Sequence, residues 1–81
     1  MRKMNNIYSF TFEDLEGWTR SVNININHIS LVEIKRGVEV TQLIIYLIGD
    51  NSPVYEANNE VSKEALEIAY NYIQLQQRGQ Q

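Results

Sequence analysis

The stretch VTQLIIYLI, residues 40–48, is apolar on both of the faces that a β-strand would present. Leu43, Ile45 and Leu47 fall on one face, because successive side chains of a strand point to opposite sides of the sheet. The other face carries the remaining large side chains, which are Val40, Ile44, Tyr46 and Ile48. A strand that is apolar on both faces is usually covered on both faces. The stretch therefore predicts a strand with a covering layer on each side.

Four more strands are predicted by alternating apolar residues and by the turn residues between them. They lie at about residues 7–12, 18–26, 29–35 and 54–57. Gly17, in the break EDLEG, is free to adopt positive φ, and Gly37 marks a second turn. Trp18 is expected to open the second strand, on the same face as Val22 and Ile24. Short connections favour antiparallel hairpins over parallel crossovers.

The C-terminal segment NNEVSKEALEIAYNYIQLQQ, residues 58–77, changes to a helical period. Its apolar residues recur at three- and four-residue spacing, which predicts an amphipathic helix over about residues 60–76, capped by Asn59 or Ser62. The fold class expected for the single domain, residues 1–81, is α+β. An antiparallel β-meander of about five strands fills about residues 7–57, one C-terminal helix packs on one face, and both termini are frayed.

One helix covers one face of the predicted sheet, so the second face needs another cover. Either the sheet curls on itself, or a second copy of the protein lies against it. Exposed apolar surface costs about 25 cal/mol per Å2, and several exposed Ile and Leu side chains would cost several kcal/mol. That cost is comparable with the whole stability of a small domain. The sequence therefore favours a homo-oligomer, with a two-fold dimer as the default partner arrangement.

Composition excludes several classes of function. The chain has 81 residues, a net charge of -3 and no cysteine. The charge argues against nucleic acid as a partner, and the missing thiols exclude disulfide scaffolds and cysteine-ligated metals. The longest apolar run, Leu43 to Ile48, is too short to span a bilayer, so no membrane contact is expected. A cytoplasmic location is the prediction, and no cofactor is expected.

The segment VNININHISLVE, residues 22–33, resembles the FlbD-type small proteins and similar short bacterial and phage proteins. The resemblance rests on Ile24, Asn25 and Ile29, with Val32 and Glu33 after them. It covers about half of the chain, and the FlbD-type proteins lack the aromatic N-terminal strand of this sequence. The resemblance implies a small regulatory or interaction protein of bacterial or phage type, without catalytic residues.

A row of asparagines is the first candidate site. Asn23, Asn25 and Asn27 alternate with Ile24 and Ile26, and they are spaced about 7 Å apart along one strand face. Asparagine is depleted in strands, so three in a row need a reason. Three alternatives stay open: the amides face water, pair with amides of another subunit, or contact a polar ligand.

Aromatic and arginine side chains form the second candidate set. The aromatic side chains either pack in the core or offer a stacking surface for a base or a sugar; they are Tyr8, Trp18, Tyr46 and Tyr55. In the second case Arg20 and Arg36 would meet phosphate. The alternative function is therefore a protein that sequesters a small anionic or nucleotide-like ligand at a subunit junction. A different protein is the remaining candidate for the binding partner.

The sequence does not predict an enzyme. His28 is the sole histidine, and neither a second imidazole nor a thiol is available to join it. Metal sites and nucleophile–base pairs need several convergent groups, so His28 is assigned to a turn. Catalytic and metal-binding residues are predicted to be absent, and the main prediction is a non-enzymatic interaction or regulatory module that acts as a homo-oligomer.

Overall fold

The computed structural model describes residues 6–49 and 51–79, and it has five antiparallel strands and one C-terminal helix. The α+β class predicted from the sequence is confirmed. In chain order, the elements are β1 (Ile7–Glu13), β2 (Thr19–Asn25), a 3-10 turn (Ile26–His28), β3 (Ile29–Arg36), β4 (Thr41–Leu47), β5 (Val54–Ala57) and α1 (Glu60–Gly79).

The strands form two sheets instead of the single meander expected from the sequence. β1 pairs with β2, and the second sheet has the order β3-β4-β5. The break occurs at the 3-10 turn, where the Asn25 Oδ1 atom accepts a hydrogen bond of 3.0 Å from the Asn27 backbone N–H. Asparagine competes with ladder hydrogen bonding in this way. The chain therefore leaves the hairpin after β2 and starts a new ladder with β3.

The β1–β2 turn is organised by Asp14 and Gly17. The Asp14 carboxylate accepts hydrogen bonds from the N–H groups of Glu16 and Trp18, at 3.0 and 2.9 Å. Gly17 has a φ of 90°, which confirms the positive φ expected there. Trp18 belongs to this turn, directly before β2 begins at Thr19, and its side chain is 68% exposed. The expectation that Trp18 opens the strand beside Val22 was wrong.

The helix is fixed at both ends. The Asn59 Oδ1 atom accepts a 2.7 Å hydrogen bond from the Ser62 N–H, as an N-cap does. Near the other end, the Gln77 side-chain amide donates a 3.0 Å bond to the Ile29 carbonyl. This tie to β3 accompanies a helix that continues to Gly79, beyond the predicted end at about residue 76. Fraying was predicted for residues 1–6 and 76–81, and this was wrong for residues 76–79, which are helical. Residues 1–5 and 80–81 of these termini lie outside the described residues.

The helix and the β1–β2 hairpin together cover one face of the three-stranded sheet, which is called the inner face. Leu43 and Ile45 of β4 are 0% and 1% exposed there. Phe10 and Phe12 of β1 meet the Tyr55 ring edge-on, with centroids 5.9 and 5.8 Å apart. The core also contains Val22, Ile24, Ile26, Ile29, Val32, Ala57, Leu66, Ala69 and Ile73.

The opposite side of the three-stranded sheet, called the outer face, has no further layer among the described residues. Ile44 of β4 is nevertheless buried, although it lies outside the core cluster. Its neighbours on the same face include Tyr46, which donates a hydrogen bond to Glu33, and Gln42, which donates one to Glu56. These bonded side chains give Ile44 local cover.

Candidate functional site

A cleft of about 570 Å3 lies between β2 and the β4–β5 connection. It separates the hairpin from the three-stranded sheet at the point where the two sheets fail to join. The backbone N–H of Ile45 donates a 3.1 Å bond to the Pro53 carbonyl, which holds the connection against β4. The described lining residues are Asn23, Ile24, Asn25, His28, Ile45, Leu47, Ile48, Pro53 and Tyr55.

The cleft combines an apolar base with polar groups. Ile24, Ile45 and Tyr55 are buried lining residues. Burial raises the pKa of Tyr55 above its usual value. Asn23 and Asn25 add side-chain amides, which both donate and accept hydrogen bonds. The cleft is therefore suited to an uncharged molecule that has both apolar and polar parts.

The asparagine row is divided by the structure. Asn23 and Asn25 both line the cleft, whereas Asn27 is outside its lining and exposed. The Ser9 hydroxyl donates a 2.5 Å bond to the Asn23 Oδ1 atom, across the hairpin. Asn25 caps the 3-10 turn. Two of the three amides thus have partners within the chain.

Arg20 and Trp18 lie at the turn end of the hairpin, away from the asparagine end of β2. The guanidinium carbon of Arg20 is 5.8 Å from the Phe12 ring centroid and 5.9 Å from that of Tyr55. An Arg20 nitrogen is also 3.8 Å from an Asp14 carboxylate oxygen. Arg20 therefore has both an aromatic and an acidic neighbour. Trp18 is exposed on the turn.

Arg36 and Tyr46 occupy two other surfaces. Arg36 donates two hydrogen bonds to the Glu67 carboxylate, at 2.5 and 2.8 Å, and joins β3 to α1. These bonds hold the pKa of Glu67 below its ordinary value. The Tyr46 hydroxyl donates a 2.9 Å bond to Glu33 on the outer face, and this bond raises the pKa of Tyr46. The seven predicted candidates thus lie on several surfaces, and only Asn23 and Asn25 share the cleft.

His28 is the last residue of the 3-10 turn, which confirms its assignment to a turn, and it also lines the cleft. Pro53 belongs to the lining but was not a candidate in the sequence, whereas Tyr55 was one of the aromatic residues assigned to core packing or to a stacking surface. Both lie at or just before β5, which pairs with β4 as the predicted meander implies. The cleft itself was not predicted, because it opens where β3 does not pair with β2.

Neither a metal centre nor a membrane span is found in the described part of the chain. No group of three or more His, Asp or Glu side chains lies together there as a metal site would require. Within the same residues, no helix has the length and apolar character needed to cross a membrane.

Comparisons with known proteins give no relative. No protein-family model matches the chain, and no match was found among curated proteins or solved structures. The resemblance of Ile24, Asn25 and Ile29 to the FlbD-type pattern therefore stays a prediction. In this chain, the pattern coincides with the asparagine cap and the 3-10 turn that follows it.

Proposed function

We propose that this protein is a non-enzymatic interaction or regulatory module that works as a homo-oligomer. Two surfaces with clustered apolar side chains support the proposal. On the outer face, exposed Leu31 and Val54 flank Tyr46 and buried Ile44. On α1, exposed apolar residues follow one side of the helix, namely Val61, Ile68, Tyr72 and Leu75.

The clustering of these side chains is the observation that carries the proposal. Single exposed apolar residues are ordinary on protein surfaces, but contiguous patches mark contact sites. Val38 is the contrasting case, because it is 96% exposed in a loop outside both surfaces. The missing cysteines fit a reducing cytoplasm, and the bacterial or phage type rests on the FlbD-type pattern.

Light scattering coupled to size exclusion, over a wide range of protein concentration, tests self-association directly. We expect a dimer or a larger species. Leu31→Glu and Ile68→Glu each place a charge in one of the two surfaces, and at least one should reduce the mass. Val38→Glu is the matched control and should leave the mass unchanged. A wild-type monomer at every concentration would remove the homo-oligomer and leave a different protein as the partner.

The cleft supports a second candidate function, the sequestration of a small ligand. Its volume of about 570 Å3 is within the usual range for ligand sites, and Tyr55 offers an aromatic surface. Among the described lining residues there is no Lys or Arg, so an anionic or nucleotide-like ligand would need Arg20 near Tyr55. Calorimetric titration with nucleosides and with the matching nucleotides would separate the two chemistries. Flat titrations with both would remove this function for nucleotide-like ligands.

A further inference from the structure

The helix α1 carries two stripes of mainly apolar residues. The first is buried in the core, whereas the second contacts the core through Ala65 and is otherwise largely exposed. The first stripe is buried and comprises Ser62, Leu66, Ala69 and Ile73. The second stripe consists of Val61, Ala65, Ile68, Tyr72 and Leu75. Val61, Ile68 and Leu75 are 80%, 53% and 62% exposed. Tyr72 is partly engaged, because its ring stacks on Tyr8 at a centroid distance of 4.6 Å.

The spacing of the second stripe is that of a helix–helix seam. Its members follow one another at intervals of four, three, four and three residues, which is the heptad pattern. A narrow stripe with this spacing is the pattern of a coiled-coil seam, whereas a helix packed on a globular core presents a broader apolar face. The second stripe therefore fits another helix.

The charged residues beside the second stripe are complementary to those of a second α1 that runs in the opposite direction. Glu64, Asn71 and Arg78 border the second stripe at seven-residue intervals, and all three are exposed. Neither Glu64 nor Arg78 forms an ion pair within the described part of the chain. If a second α1 runs antiparallel, Glu64 of each copy faces Arg78 of the other, and Asn71 faces its own counterpart. In a parallel pair these three positions would lie on opposite sides of the seam, so Glu64 and Arg78 would have no charged counterpart on the other helix.

We infer that α1 packs antiparallel on α1 of a second copy, along the second stripe and around a two-fold axis near Asn71. In this register, Ala65 lies opposite Leu75 and Ile68 lies opposite Tyr72. Each pair therefore places a side chain opposite a larger one. The arrangement is self-complementary, as a closed two-fold dimer requires. It rests on the proposed self-association, and it specifies the surface and the direction of pairing.

Cross-linking of single cysteine variants tests the direction, because the chain has no cysteine of its own. Asn71→Cys places two thiols beside the two-fold axis, so a short bismaleimide should join two copies. Glu64→Cys is the matched control on the same border. Its two thiols would be separated by about 20 Å along the helix axis, at about 1.5 Å per residue, and should stay unlinked. A mixture of Glu64→Cys and Arg78→Cys should give linked pairs.

Charge reversal provides a second measurement on the same surface. Glu64→Arg and Arg78→Glu should each weaken the dimer roughly three- to tenfold, because each creates two like-charge contacts. The double variant should restore wild-type affinity. If the mixture of Glu64→Cys and Arg78→Cys links no better than Glu64→Cys alone, the antiparallel register is wrong. If the wild type is a dimer by light scattering but Asn71→Cys never links, self-association stands and the helix surface is excluded. If the wild type is a monomer at every concentration, both the self-association and the helix–helix contact are wrong.

Discussion

The three alternating asparagines differ in what their side chains do. Asn23 accepts a bond from Ser9, and Asn25 caps the 3-10 turn. Asn27 contributes its backbone N–H to that cap while its side chain is exposed. The same residue type is therefore found in one row for separate reasons. Asn25 matters most for the fold, because its cap lies where the chain passes from one sheet to the other.

Removal of the Asn25 cap should destabilise the protein. We expect Asn25→Ala to lower the free energy of unfolding by about 1 kcal/mol, the usual effect of losing a capping side chain. Asn27→Ala, at the neighbouring exposed position, should change it by less than about 0.5 kcal/mol. Urea denaturation of both variants provides the comparison. Equal losses would mean that the cap is not what stabilises this turn.

Ser62 has an unusual position for a residue at a helix start. Its hydroxyl is buried and accepts a 2.7 Å hydrogen bond from the Glu13 N–H, which ties α1 to the end of β1. Ser62→Ala leaves that N–H without its acceptor and should cost about 1 to 3 kcal/mol. Ser52→Ala, in an exposed loop, is the control and should be nearly neutral in the same chemical denaturation. A neutral Ser62→Ala would show that water replaces the hydroxyl.

The strands and the helix were predictable from the sequence, because each depends on the pattern of residues that are close together in the chain. Alternation together with turn residues located four strands, a run apolar on both faces located β4, and the three- and four-residue spacing located the helix. The split into two sheets was not predicted, because the meander assumes that β3 pairs with β2, whereas the chain leaves the hairpin at the 3-10 turn. The cleft depends on that split, since its lining joins β2 of one sheet to β4 and β5 of the other. The Asn25 cap was visible in the sequence only as a residue suited to turns.

The contact between β3 and α1 should make stability depend on pH. Arg36 lowers the pKa of Glu67 in the folded protein, so the folded state favours the ionised carboxylate. The resulting stabilisation is complete above the ordinary carboxyl pKa and is lost as pH falls through the lowered pKa. Thermal unfolding of the wild type and Glu67→Gln should therefore differ most near neutral pH and converge in acid.

Glu39→Gln is the control for that experiment, because Glu39 lies exposed in the β3–β4 turn. It removes one carboxylate at a distance from the Arg36 contact, so it tests whether net charge alone alters the pH profile. If both variants show the same profile relative to the wild type, the pH dependence does not come from the pair of Arg36 and Glu67.

The protein as a whole is elongated and has a small hydrophobic core. The described residues span 43 × 22 × 20 Å. A short chain of this shape buries a smaller share of its surface than a large domain does, so its stability is marginal. The local hydrogen bonds over Ile44 reduce the need for a second layer on the outer face. The second stripe of α1 has no equivalent cover, which makes it the stronger site for association.

If association contributes to stability, the melting temperature must depend on protein concentration. A dimer that unfolds to two chains gains stability by mass action, and the melting temperature should rise by roughly 4 °C for each tenfold increase in concentration. Ile68→Glu should melt at a lower temperature that is independent of concentration, because a charge in the second stripe separates the copies. Val38→Glu should keep the wild-type dependence. A wild type whose melting temperature is the same at all concentrations would show that the core alone stabilises the fold, and that the exposed stripe serves a partner other than a second copy.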